Sequence, residues 1–265
     1  MSAKHIDSPE WTKIVAEKIQ KNGTPNDRRQ QAYTTPRPDI LNLVPTTAMD
    51  ILDVGCSNGA LGEGLQRAAP GRRVTGIEWD PAFCDEARGR LSAVHNADVN
   101  SLDWSQIFGL ASFDCLIFAD VLEHLVDPWE RLASACACLR PGGSVVVSVP
   151  NIRHVSAMYS IFVRGTFPRR SRGIFDNTHL RWFTLRDADA LLTGAGLEIQ
   201  AGDHSLRVRD RGDGRLNRIA RKLLSPVQGF YPVREFLTYQ VSLRGIKPDC
   251  PSGSVLALGK GSDNQ

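Results

Sequence analysis

One stretch of the sequence organises the rest of the chain: Ile51-Leu52-Asp53-Val54-Gly55-Cys56-Ser57-Asn58-Gly59-Ala60-Leu61-Gly62. Its apolar first half predicts a buried β-strand, and we expect a helix over 59–69 to follow. The glycines between them allow positive φ angles and let the backbone approach a ligand closely. At the carboxyl edge of a parallel sheet, a turn of this kind is the expected crevice for a ligand.

Strands and helices alternate after this stretch. We predict further strands over 73–78, 93–97, 113–118 and 144–149, and helices over 81–91 and 128–139. Short apolar strands that alternate with helices are typical of a parallel sheet covered on both faces. After residue 150 the rhythm changes, and we predict helices over 155–163, 185–195 and 215–224 and strands over 197–205 and 236–246.

These elements divide the chain into five segments. We predict an N-terminal helical segment (1–45, with helices over 11–21 and 28–44), a core (46–150), a cap (151–183), a segment that completes the sheet (184–247) and a mobile tail (248–265). The apolar helix over 155–163 is expected to form the interior of the cap or a pocket wall rather than a membrane anchor.

The composition is that of an ordinary globular protein. Of the 265 residues, 42% are hydrophobic and 23% are charged, which excludes a disordered, collagenous or membrane-spanning chain. The N-terminal residues lack the apolar region of a secretory signal, and six cysteines are too few for a disulfide scaffold. We therefore expect reduced thiols and a cytoplasmic protein.

Charge is distributed unevenly along the chain. Residues 1–150 carry a net charge of −5, whereas residues 151–247 carry +9. Such a difference indicates either a solvated surface or an anionic partner for the second half.

Polar side chains follow three successive strands. Glu78 ends the second strand, where a carboxylate can accept hydrogen bonds from both hydroxyls of a ribose. Trp79 is placed to pack on a purine, and Asp98, after the third strand, to receive its amino group. Together these residues predict a nucleoside site.

With these residues in view, the sequence resembles the class I S-adenosylmethionine-dependent methyltransferases over residues 49–150. The matching segments are Asp53-x-Gly55-x-Ser57-x-Gly59, Glu78, Ala97-Asp98-Val99, Phe118-Ala119-Asp120-Val121-Leu122-Glu123-His124-Leu125 and Leu139-Arg140-Pro141-Gly142-Gly143. The family often has glycine in place of Ser57. Further on, Pro150-Asn151 and Phe175–Thr184 are similar to a small-molecule branch that includes ubiquinone-biosynthesis O-methyltransferases and glycan or natural-product methyltransferases.

The resemblance implies a Rossmann-like, doubly wound α/β sheet of seven strands with an antiparallel last strand and a helical cap. It implies S-adenosylmethionine as the cofactor, with Asp53 at the methionine amino group, Glu78 at the ribose and Arg37 at the methionine carboxylate. The other cofactor contacts that we expect are Gly55, Ser57, Gly59, Trp79, Asp98, Val99, Ala119 and Asp120.

The implied reaction is an in-line displacement on an activated methyl group, for which the protein mainly aligns and desolvates the reactants. A hydroxyl acceptor would need a general base, and His124, His179 and Asp176 are the candidates. We expect no metal, and a small-molecule acceptor for which an anionic, sugar-linked or lipid-linked compound is the hypothesis. A membrane surface is the less favoured partner, and nucleic acid is not expected.

Four alternatives stay open on the sequence alone. A nicotinamide-binding unit also has a glycine turn with an acid about 20 residues on. Gly55-Cys56-Ser57-Asn58-Gly59 also matches the nucleophile elbow of hydrolases, although that leaves Asp53, Glu78 and Asp98 without roles. The two others are a regulatory module that binds the cofactor without turnover and a nucleic-acid methyltransferase.

Overall fold

The fold is built on one seven-stranded sheet. The computed structural model describes residues 37–207 and 230–249. The strands are β1 (Asp50–Val54), β2 (Arg73–Glu78), β3 (Ala93–Asn96), β4 (Phe113–Ala119), β5 (Leu139–Pro150), β6 (Glu198–Leu206) and β7 (Thr238–Ile246). Their order is β3-β2-β1-β4-β5-β7-β6. The first five strands pair in parallel, and β7 lies between β5 and β6, antiparallel to both. This confirms the predicted fold class.

Helices cover the sheet between its strands. They are α1 (Pro38–Leu41), α2 (Ala60–Ala68), α3 (Pro81–Arg88), α4 (Trp104–Phe108), α5 (Pro128–Ala135), α6 (Val155–Met158), α7 (Leu185–Gly194) and α8 (Tyr231–Leu237). Several ends are set by capping side chains. Asp80 caps α3 through Ala82 N, Asp127 caps α5 through Glu130 N, and Thr184 forms a capping box with Asp187 at α7.

Successive side chains of the central strands alternate between the two faces of the sheet, so the core consists of two clusters, one on each face. In β1, Ile51 packs in the core cluster on one face of the sheet, whereas Leu52 and Val54 pack in the cluster on the other. β4 and β5 alternate in the same way, and their inward side chains are buried on both faces. The sheet is therefore covered on both faces, as the apolar runs predict.

Some element boundaries differ from the prediction. β5 begins at Leu139, so that Pro141-Gly142-Gly143 lies within the strand rather than in a turn before it. α8 occupies the first two residues of the last predicted strand, because the chain remains helical through Leu237. The predicted helices over 11–21 and 215–224 and the residues of the tail after 249 lie outside the described residues.

The segment that we predicted as a cap begins directly after β5. Asn151 is fully buried, and its side-chain amide donates to the carbonyl oxygens of Glu235 (2.7 Å) and Thr238 (2.9 Å). α6 follows and continues as a π-helix over Tyr159–Val163. Only its inner face is buried, with Ala157 packed against Ile174, Phe175 and Tyr239. The inner face packs against other residues of this segment, whereas the outer face carries exposed apolar side chains. The role of the segment as a cap stays a prediction.

Among the described residues, no helix is long and apolar enough to span a membrane. The five cysteines described there are buried free thiols. The cytoplasmic location stays a prediction.

Candidate active site

The turn after β1 is held by backbone hydrogen bonds to the neighbouring strand β2. Gly55 N and Cys56 N both donate to the carbonyl oxygen of Ile77, at 2.8 and 3.0 Å. Gly55, Ser57 and Gly59 have φ angles of 71°, 48° and 81°. A Cβ atom on Gly55 would lie 2.4 Å from Cγ2 of Val121. Val121, in the loop after β4, therefore approaches closely enough to require glycine at this position. The expected approach of Gly55 to a ligand stays a prediction.

Asp53 carries an unpaired buried oxygen at this turn. Its side chain is 2% exposed, and Oδ2 has no hydrogen-bond partner. Burial, with the nearby carboxylate of Glu78, raises the pKa of Asp53 to about 7. The hydroxyl of Ser57 is also buried without a partner. These acceptors suit a ligand with a cationic hydrogen-bond donor, such as the amino group of S-adenosylmethionine.

Glu78 holds the turn from the neighbouring strand. Its Oε2 accepts from Ser57 N, and its Oε1 accepts from Trp79 N and Asp80 N, each at 2.9 Å. Burial raises its pKa, although these backbone donors oppose the shift. Asn96, which no sequence signal indicated, donates to the carbonyl oxygens of Glu78 and Trp79 at 2.9 Å. Through its bond to Ser57 N, the carboxylate of Glu78 orients the glycine turn. The role of Glu78 toward a ribose stays a prediction.

The three residues expected around a purine differ in their exposure to solvent. Trp79 is 74% exposed. Asp98 is exposed, and its Oδ1 accepts from Asn100 N at 2.9 Å. Val99 is buried in the main core cluster, where its side chain packs within the protein. Contacts of these three residues with a cofactor stay predictions.

Arg37 and Asp120, both predicted cofactor contacts, form an ion pair. The guanidinium also binds Asp39 through two hydrogen bonds, of 3.0 and 2.7 Å, and donates to Ser148 Oγ at 2.9 Å. Burial alone would lower the pKa of Arg37, but the carboxylates of Asp120 and Asp39 raise it above its ordinary value. Gln240 donates to Asp120 from β7. No sequence signal pointed to Ser148 or Gln240, because only the sheet brings β5 and β7 to this point.

A cavity of about 220 Å³ opens at this edge of the sheet. The predicted site residues that line it are Arg37, Asp53, Gly55, Ser57, Ala119, Asp120, His124, Asp176 and His179. Gly59, Glu78, Trp79, Asp98 and Val99 do not line it. The cavity also has walls that we did not predict, among them Glu123 from the loop after β4 and Ser171, Arg172 and Gly173 from the cap.

Two histidines and a carboxylate meet in this cavity. The Nδ1 atoms of His124 and His179 lie 3.2 Å from the carbonyl oxygens of Thr178 and Ile174, respectively. Because a carbonyl oxygen only accepts, each Nδ1 carries the hydrogen, and each Nε2 presents a lone pair in the neutral ring. The rings meet edge to face with centroids 4.8 Å apart.

Glu123 completes this cluster. It is 2% exposed, and its Oε2 has no hydrogen-bond partner. Burial raises the pKa of Glu123 well above its ordinary value, and burial, with His124, lowers the pKa of His179. Oε1 of Glu123 and Nε2 of His179 are 4.0 Å apart, beyond hydrogen-bond length. Both pKa shifts favour the uncharged form of the group concerned.

The same three groups could hold a metal ion, since one ligand atom from each lies within 4.8 Å of the others. From the sequence we expect no metal, and that stays a prediction. His124 and Glu123 are adjacent in the segment that resembles the family, which was the one available signal for Glu123. Asp176, the third candidate base, accepts from Thr178 N (2.9 Å) and Thr178 Oγ1 (2.7 Å), so its Oδ1 is already engaged.

A family model described as a methyltransferase domain matches residues 15–201. The chain belongs to the methyltransferase-domain family. Membership confirms the predicted resemblance and, with it, the enzyme and cofactor class, that of S-adenosylmethionine-dependent methyltransferases. It also decides against the nicotinamide-binding and hydrolase alternatives.

Two curated relatives are ubiquinone biosynthesis O-methyltransferases. The protein from Hydrogenovibrio crunogenus is 29% identical over 165 residues, which cover 57% of this chain and 63% of the relative. The protein from Methylobacterium sp. is 30% identical over 142 residues, which cover 49% of this chain and 54% of the relative. The chain thus spans less than two thirds of the length of these relatives.

Solved structures share the fold at lower identity. A possible histamine N-methyltransferase from Thermotoga maritima matches with a TM-score of 0.56 and 16% identity, covering 86% of this chain and 98% of that one. A putative methyltransferase from Haloferax volcanii, solved with the Trm112 activator, matches with a TM-score of 0.55 and 17% identity, covering 87% and 96%. These likenesses support the fold.

Proposed function

We propose that this chain transfers the methyl group of S-adenosylmethionine to a hydroxyl group of a small-molecule acceptor. One observation carries the proposal: a single cavity joins the unpaired carboxylate of Asp53 to the two imidazoles of His124 and His179. The carboxylate of Asp53 suits the amino group of the cofactor, and the imidazoles suit the removal of a proton from an acceptor.

Asp53 and the turn after β1 would hold the methionine part of the cofactor. The buried Oδ2 lacks a partner, so a bound ammonium would satisfy it and restore the charged carboxylate. Glu78 would hold the ribose, and Arg37, fixed by Asp39 and Asp120, the methionine carboxylate. When bound, S-adenosylmethionine supplies a methyl group activated by its positively charged sulfur.

His124 and His179 would orient the acceptor and remove its proton. Each presents Nε2 as a free acceptor position, since Nδ1 is held by a backbone carbonyl. Burial keeps His179 neutral, the form that accepts a proton. The walls of the cap, by excluding water, would favour attack by the acceptor oxygen over solvent.

A divalent cation on Glu123, His124 and His179 is an alternative way to activate the hydroxyl. The three groups have the types and spacing that such an ion needs, and a bound cation lowers the pKa of an oxygen ligand. This alternative differs from the general-base mechanism in its response to chelators.

We further propose that the acceptor is anionic. Arg172 lines the cavity, and residues 151–247 carry a net charge of +9. The names of the two curated relatives place them in ubiquinone biosynthesis, which supports a small-molecule acceptor and oxygen as the methylated atom.

The test is release of S-adenosylhomocysteine on incubation with hydroxylated aromatic acids, in chelator and in Mg²⁺. We expect turnover with at least one acid, and loss of most of it in His124→Gln with cofactor affinity unchanged. Turnover that persists in chelator supports the general-base mechanism. Turnover that needs Mg²⁺ supports activation of the hydroxyl by a divalent cation. Cofactor binding without turnover for any hydroxyl acceptor would instead favour the regulatory module.

A further inference from the structure

The outer face of the cap helix, which we define as α6 with its π-helical continuation (155–163), carries several exposed apolar side chains, and the exposed Phe167 follows it in the chain. We call this group the cap patch, and it consists of Val155, Tyr159, Phe162, Val163 and Phe167, exposed by 39, 55, 76, 69 and 53%. The first four lie on one helical segment at intervals of four, three and one residues, which places them on one face. Large apolar side chains grouped in this way mark an interaction surface.

The opposite face of the same helix already has its partners. Ala157 is fully buried and Ser160 is 4% exposed, and Ile161 packs against the cluster beneath the helix. The segment is therefore anchored to the protein on one side and presents apolar side chains on the other. Local stability does not require the outer face to be apolar.

The segment that carries the cap patch is basic in sequence, although Arg153 is paired with Glu235 (Nη1 to Oε1, 3.1 Å) and Arg172 lines the cavity. Residues 152–175 contain five arginines and no aspartate or glutamate; the arginines are Arg153, Arg164, Arg169, Arg170 and Arg172. Arg164 and Arg169, which flank Phe167, are exposed. An apolar face bordered by arginines has the composition of a helix that lies in the interface of an anionic membrane.

We propose that the cap patch docks on the surface of an anionic lipid bilayer. The apolar side chains would enter the boundary between headgroups and acyl chains, and the exposed Arg164 and Arg169 would meet the lipid phosphates. A second copy of the chain fits less well, because a two-fold contact through this patch would oppose two sets of arginines. The docking itself does not depend on the proposed function.

Docking would bring the cavity to the membrane. Ser171, Arg172 and Gly173, from the same cap segment as the patch, line the cavity. An acceptor that is dissolved in or attached to the bilayer could then enter without crossing bulk water. This consequence, unlike the docking, rests on the proposed function.

The test is co-sedimentation of the full chain with vesicles, either of phosphatidylcholine alone or of an equal mixture with phosphatidylglycerol. We expect wild type to sediment with the mixed vesicles and much less with the neutral ones. Phe162→Ser with Val163→Ser should weaken the partition about tenfold, since two apolar side chains leave the membrane. Arg164→Gln with Arg169→Gln should weaken it for the mixed vesicles, with a response to salt that is smaller than in wild type.

Matched controls come from exposed residues elsewhere on the chain. Ile107→Ser with Leu110→Ser removes apolar side chains that are 42 and 70% exposed, and Arg67→Gln with Arg88→Gln removes exposed cations. Both control variants should sediment like wild type, and circular dichroism should show all variants folded.

Several outcomes would overturn the proposal. They are no sedimentation with either vesicle, equal sedimentation with both, or unchanged sedimentation of the Phe162 and Val163 variant. If that variant instead converts a dimer to a monomer while vesicle binding stays at the wild-type level, a second copy covers the patch. Because none of these assays measures methyl transfer, failure of the proposed function would leave their outcome unchanged.

Discussion

At the scale of single residues, Asp53 is the group whose chemistry depends most on its surroundings. With the pKa raised to about 7, this carboxyl is largely protonated in the free protein at acid pH. An ammonium with an ordinary α-amino pKa stays charged over the same range. Cofactor binding should therefore require loss of the Asp53 proton.

We accordingly expect cofactor affinity to fall as the pH is lowered through 7, by about tenfold per pH unit below pH 6. Asp53→Asn should bind weakly at every pH and show no such slope. Asp80→Asn, at the cap of α3 in the next loop, is the control and should retain the wild-type slope. Calorimetry with S-adenosylhomocysteine between pH 5 and 7 measures this, and a flat wild-type profile would contradict the assignment of Asp53.

At the scale of elements, the turn after β1 is fitted to the loop after β4. A methyl group at Gly55 would clash with Val121 at 2.4 Å and would also sit at a φ of 71°. We expect Gly55→Ala to cost about 2–4 kcal/mol of stability, from overpacking and left-handed strain together. Urea denaturation measures this cost.

The two contributions can be separated with a second substitution. Adding Val121→Ala should leave the double variant more stable than the sum of the single effects by about 1 kcal/mol or more. Gly165→Ala is the matched control, because Gly165 has a φ of 61° and no atom within 4 Å of an added Cβ, so only strain of about 1 kcal/mol applies. Simple additivity would show that the Val121 contact is not what requires glycine.

At the scale of the whole molecule, the site joins elements from distant parts of the chain. The cavity takes residues from the ends of β1, β4 and β5, from the cap and from β7. A ligand bound there would link these elements and stabilise the folded state by mass action. Cofactor at a hundred times its Kd should add ~2.7 kcal/mol and raise the melting temperature by about 5–10 °C.

The comparison for this shift is Asp53→Asn at the same cofactor concentration. It should show little or no increase, whereas Asp80→Asn should show the wild-type increase. An unchanged melting temperature in wild type at saturating cofactor, with binding verified by calorimetry, would mean that the ligand binds the unfolded chain as well.

Much of the fold was predictable because its signals are local. The apolar run before Gly55 and the alternation of strands with helices specify a parallel sheet, and Asp53 and Glu78 take their places from the strand ends. The family resemblance also supplied the antiparallel last strand. The starts of β5 and β7 differ from the prediction by a few residues: β5 already begins at Leu139, before the glycines, and the first two residues of the predicted last strand are helical.

The sequence by itself therefore determined the sheet, the glycine turn and the family. Only the tertiary structure decided which groups meet across the chain. It set Val121 against Gly55, paired Arg37 with Asp120, brought Glu123 and His124 to His179, and turned the apolar face of the cap helix outward. The physical reason is that strand and turn propensities depend on neighbouring residues, whereas burial, unpaired oxygens and shifted pKa values depend on which distant elements pack together.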